Sequence, residues 1–190
     1  MTLSLFKNKL ATLETILYFD KKQFLREKTD DPAQLKIIIE DALQLVKEVS
    51  NEQDRFFLKG TIGNLYRICE RPQTALVYLN ECLLFAQESG TTTQQIVSLI
   101  RVGEALKYNE EYEKALILFN QALSLCQMHE VTAYTDFSLQ HKGKCLMEQG
   151  YLIDAEMCFN EALLIRLEKG NAALIDSTEQ ALALLMQLKN

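Results

Sequence analysis

The residues of this 190-residue chain whose types could do chemistry are few: two histidines, five cysteines and some adjacent acids. A histidine works as a general base only when a carboxylate orients it and a nucleophile lies within reach. His129 and His141 have neither at motif spacing, and no GxSxG, phosphate-binding loop or HExxH is present. Asp30-Asp31 and Glu110-Glu111 fall at a helix start and a turn, where capping accounts for them. The cysteines, at 69, 82, 126, 145 and 158, are odd in number and lack CxxC spacing, so neither a disulfide framework nor a zinc site is expected. Cys145 and Cys158 would face one another across a helical hairpin, as small buried residues. The expectation is a non-enzyme with no cofactor and no metal.

Composition limits the partners. Lys and Arg number 20 against 26 Asp and Glu, giving a net charge of −6. That balance disfavours sequence-independent nucleic-acid binding, which draws on clustered cations. No apolar run approaches the roughly 18 residues needed to span a bilayer, and Lys7, Lys9 and Glu14 interrupt the one signal-like stretch. A cytoplasmic protein that binds neither nucleic acid nor membrane is expected. With 48 % hydrophobic residues, seven Gly and two Pro, the chain favours long helices over strands.

The elements repeat. Gly103 and Ala115 lie twelve residues apart, with Ala122-Leu123 seven further on; forty residues earlier stand Gly63, Ala75 and Cys82-Leu83, and forty later Gly143, Ala155 and Ala162-Leu163. Such a period marks a solenoid whose units bury their apolar faces against one another. Helices are expected from about 52 to 70, from Pro72 to Gly90, from Thr92 with Gln95 completing a capping box, and through turns at Asn109-Glu110-Glu111 and Gly150. The domain would run over 1–190 as one body, with clear units at 52–90, 92–130 and 131–170. A degenerate leading unit would occupy 4–49 and a capping helix 172–188. Leu3, Phe6, Leu10, Leu13 and Leu17 predict a helix or helix pair over 3–28, and Asp31-Pro32 starts another through Val49.

Leu99, Gly103, Leu106, Tyr112, Ala115, Phe119 and Ala122 resemble the tetratricopeptide repeat, although the unit has no opening Trp or closing Pro and runs to forty residues rather than about 34. Units of this length are similar to those of kinesin light chains and of peptide-sensing regulators of Gram-positive bacteria. The resemblance implies an all-α, right-handed superhelix of antiparallel hairpins, the first helix of each lining a concave groove. Transferred to this sequence, the groove would contain Phe57, Asn64, Arg67, Val97, Arg101, Lys107, Tyr108, Phe137, His141 and Lys144, a basic row beside an apolar edge. The family's carboxylate clamp is reproduced only in part: Asn64 matches, Arg101 replaces an Asn, His141 replaces a basic residue, and Phe137 and Gly60 stand where lysines would be.

The function implied is non-catalytic: an adaptor, co-chaperone-like or regulatory module holding an extended peptide or a partner helix. Two rivals stand beside it. Leu174, Leu182 and Leu185 on one face of the last helix, with Leu184 and Leu188 on another, could make a scaffold that dimerises through 172–188. Alternatively, the chain could be a stand-alone sensor of a short signalling peptide.

Overall fold

The computed structural model describes residues 1–189. Among them the chain forms nine α-helices and one β-hairpin: α1 (Leu3–Ala11), β1 (Leu17–Asp20), β2 (Arg26–Thr29), α2 (Pro32–Glu48), α3 (Glu52–Ile68), α4 (Pro72–Ser89), α5 (Thr92–Tyr108), α6 (Tyr112–Met128), α7 (Thr135–Glu148), α8 (Leu152–Lys169) and α9 (Ala172–Lys189). From α2 onward each helix packs on the next. Helix α5 also touches both α3 and α7, which makes these three the inner layer of the solenoid.

Local chemistry fixes the ends. Asp31 accepts from the Gln34 amide ahead of Pro32 at the first turn of α2, and Asn51 accepts from the amides of Gln53 and Asp54 in α3. The capping box of α5 falls one residue earlier than its spacing predicts, on Thr91 and Gln94. A 3₁₀ turn over Thr132–Tyr134 delays α7, which expectation starts at 131. Within the three units, Glu70, Glu110 and Gly150 occupy equivalent left-handed turn positions. Only the third is a glycine, the residue that takes this conformation without steric cost.

The repeating glycines accommodate side chains. A Cβ on Gly103 would lie 2.7 Å from the ring of Phe119, one on Gly143 2.6 Å from Phe159, and one on Gly63 2.5 Å from Leu79. The close approach is thus chiefly of a helix backbone to the residue four after Ala75, Ala115 or Ala155, each of these alanines fully buried.

The leading segment departs from expectation. The helix foreseen over 3–28 ends at Ala11, and after a 3₁₀ turn residues 17–29 form an antiparallel hairpin with Leu17 opposite Thr29 and Asp20 opposite Arg26. The leucine stripe is real in burial but not in helical period. Phe6 and Leu13 are buried, and Leu3, Leu10 and Leu17 pack on the same core with α2 and α3. Asp20 caps the Lys21–Gln23 turn and the chain reverses through Phe24 and Leu25, both left-handed at φ 53° and 58°. That conformation costs a bulky residue roughly 1–2 kcal/mol. Residues 4–49 therefore contain one repeat-length helix, α2, preceded by a short helix and a hairpin rather than by a helical partner.

Candidate functional site

Helices α3, α5 and α7 present the inner face, and the hairpin lies across it. Between them is a cavity of about 350 Å³. Of the groove residues proposed from sequence, Asn64, Arg67, Val97, Arg101, Tyr108, Phe137, His141 and Lys144 line it. Two do not. Phe57 packs on the core under α1, with the Lys7 ammonium 4.9 Å from its ring centre. Lys107 is fully buried, its Nζ 3.4 Å from Glu148 and 3.6 Å from Glu104, so it neutralises acids inside the wall.

The basic row is mostly spent on internal partners. Arg67 bonds Asn64, lies 2.6 Å from Glu27 and 3.5 Å from Glu104, and stacks 4.7 Å from the Tyr108 ring centre. Burial by itself would raise the Glu104 carboxyl. Arg67 overrides it, aided by His141 and Lys107, and holds Glu104 well below the usual carboxylate range. His141 Nδ1 lies 3.0 Å from Glu104, yet burial still pulls the imidazole below its ordinary value. Burial, with Lys107 nearby, lowers Lys144 to about 8. Its ammonium donates to the Leu25 carbonyl at 3.2 Å and sits 4.5 Å over the Phe19 ring.

Arg101 is different. It makes no hydrogen bond or ion pair with any described residue, and burial lowers its guanidinium below the ordinary value. Gly60 leaves it room: a Cβ there would collide with the Arg101 guanidinium. In the same cavity Gln140 is 3 % exposed, donates to the Ser177 carbonyl at 3.4 Å, and has a buried Oε1 with no donor. An unpaired cation and an unpaired acceptor thus face one cavity, flanked by Val97, Ile100 and Phe137. This arrangement can take an acid together with a backbone or side-chain N–H. The Glu104–His141 pair matches a general-base dyad in composition only, because no described hydroxyl or thiol bonds to His141.

Sequence reasoning missed the residues that reach this site from other segments. Phe19, Leu25 and Glu27 come from the hairpin, Tyr134 from the 3₁₀ turn, and Arg166 from α8, where it pairs with buried Asp136 at 2.9 Å. The repeat register carries no signal for any of them. In the last helix Ala181 and Leu185 are buried, with Leu182 and Leu184 packed on the same cluster, while Leu188 is exposed. Of the second apolar side assigned from sequence, Leu184 is thus covered within the chain and Leu188 is not. Cys82, Cys126, Cys145 and Cys158 are buried free thiols, and burial pushes Cys145 up to about 12. Among the described residues no group of three His, Cys, Asp or Glu is placed to hold a metal ion, and no helix is long and apolar enough to cross a membrane.

The fold and site define a helical repeat protein with a concave, partly filled groove. The tetratricopeptide-repeat family model matches residues 54–128. Among solved structures, the apo form of RapI is 18 % identical over 83 % of this chain and 58 % of its own, at a TM-score of 0.66. A Rap protein complexed with competence and sporulation factor is 16 % identical over 75 % of this chain and 41 % of its own, at 0.68. PlcR of Bacillus thuringiensis, in complex with the peptide PapR7 and DNA, is 14 % identical over 79 % and 53 %, at 0.64. At these identities the likeness is one of fold, and the chain spans between two fifths and three fifths of the length of these three proteins. No curated protein matches the sequence.

Proposed function

We propose that this chain is a non-catalytic interaction module that holds an extended, acid-bearing peptide segment of a partner in the groove of α3, α5 and α7. The observation that carries this reading is Arg101, a shielded cation without an anion that lines the same cavity as Gln140 with its orphaned acceptor. A buried polar group left unmade costs stability, and a ligand that supplies its partner recovers that cost as affinity. The peptides bound by the Rap and PlcR folds support the same choice of ligand class. An extended segment fits better than a partner helix. A helix is about 10–12 Å across with its side chains, more than the opening of about 350 Å³ takes while the hairpin is in place, and the contacts of residues 25–27 with the inner helices are those of an extended segment. A regulatory or sensing role is consistent with so small an opening, and a broad adaptor surface is less so.

The test is selection of peptides from a random library on the purified chain, followed by anisotropy titrations with Arg101→Glu. Arg101 touches no internal acid, so its reversal leaves the fold intact, whereas reversal of Lys144 would also strip the Leu25 carbonyl of its donor. Selected peptides should be enriched in Asp and Glu and lose at least about tenfold in affinity, the scale of one charge-assisted contact. Equal binding by Arg101→Glu and the parent would remove this residue from the site.

A further inference from the structure

Residues 25–27 do to the inner helices what a bound peptide would do. The Leu25 carbonyl accepts from Lys144 of α7. Arg26 pairs with Glu148 of α7 at 2.5 Å and stacks 5.0 Å from the Tyr108 ring centre of α5. The Glu27 amide donates to the Tyr108 hydroxyl at 2.6 Å, and its carboxylate pairs with Arg67 of α3. Three successive residues thus use all three inner helices, alternating backbone and side-chain contacts, and Leu25 is 2 % exposed.

The rest of the hairpin is less enclosed. It has two strands of four residues, Tyr18 and Phe19 are 40 % and 45 % exposed, and the reversal places two bulky residues in left-handed conformations. A lone two-stranded hairpin is marginal in water, and beside the buried Leu25 its hold on the inner helices consists of hydrogen bonds and ion pairs that an equivalent peptide can also make. We propose that the hairpin is a resident ligand of the groove, displaced by an extended partner segment of the same chemistry: an aliphatic residue, then a basic one, then an acidic one. This rests on the peptide-binding reading and specifies its ligand. The acid of the incoming segment would take the place of Glu27 at Arg67, and its aliphatic residue that of Leu25 against Leu146 and Met147.

The test uses the full chain with Arg26→Glu and Glu27→Arg, which set like charges against Glu148 and Arg67. Hydrogen–deuterium exchange should show protection lost over 17–29 and kept over α3 to α8. A labelled synthetic peptide of residues 16–30, with the native sequence, should bind this variant at least about tenfold more tightly than the parent, whose groove is open only in a minor fraction of molecules. Should the double variant fail to fold, Glu27→Gln carries the test, with a gain of about threefold expected from the loss of a single ion pair. A hairpin that stays protected in the folded variants, or a 16–30 peptide that binds parent and variant equally or binds neither, overturns the proposal. Arg101-dependent binding of library peptides alongside a hairpin that never leaves would sink this inference alone. An open groove that takes neither kind of peptide would sink the peptide-binding reading with it.

Discussion

Lys144 shows how a single residue in the groove can be read out. The residue is 4 % exposed, its ammonium lies between the Leu25 carbonyl and the Phe19 ring, and burial lowers its folded value to about 8 from an unfolded value near 10.5. Between those values the unfolded chain holds the extra proton, so this residue makes stability rise with pH across that window. The buried cysteines act oppositely, since their raised values make the folded chain hold protons that the unfolded one loses. The comparison must therefore be with Lys144→Met. From pH 7.5 to 9.5, the urea midpoint of the parent should climb relative to that of the variant. Parallel profiles would mean that Lys144 is solvated. Its side of the groove was legible from the forty-residue register. Its counterpart, the Leu25 carbonyl, was not, because a backbone acceptor from a distant segment leaves no mark on a helical repeat.

Helices and hairpin differ in how much of them could be read. The starts at Asp31-Pro32 and Asn51 and the turns at 110 and 150 follow from local capping and turn chemistry, so they emerge where expected. The hairpin does not. Leu17, Tyr18 and Phe19 continue an apolar stripe that α1 begins, and four residues are too few for strand alternation to outweigh a 3.6-residue period. Tertiary contacts with Tyr108, Arg67 and Glu148 decide the matter. For the helical pairs the register makes a firm demand. Gly143→Ala adds a better helix former by about 1 kcal/mol, yet its Cβ would meet three ring atoms of fully buried Phe159. Ala115→Leu overfills a site with no exposure. Both should be net destabilising, by about 1–3 kcal/mol, and lower the thermal midpoint by several degrees in a melting scan. An unchanged or raised midpoint for either would contradict the packing described.

At the scale of the molecule, the solenoid turns a local repeat into a groove and then fills part of it with its own leading segment. The acidic net charge of −6 coexists with a cavity where, among the described residues, the charges without an ion pair include the cations Arg101 and Lys144, because Glu104, Glu148 and Glu27 are consumed by Lys107, Arg26 and Arg67. This division explains why the site was half visible in the sequence. Repetition located the inner face, but pairing within it, which decides which charges remain available, depends on α8 and the hairpin as much as on the repeats. It also separates the inner face from the open cleft of about 1060 Å³ between α6, α7 and α8, which is lined by Leu123, Met157 and Glu161 and contains no orphaned buried polar atom.

The most direct test of the central claim is hydrogen–deuterium exchange on the full chain with and without a peptide selected from the random library. Binding in the groove predicts added protection on the inner helices, around 97–104 of α5 and 137–144 of α7, with α4, α6 and α8 unchanged. Protection confined to those outer helices, or to α9, would contradict the account and place the partner on another face.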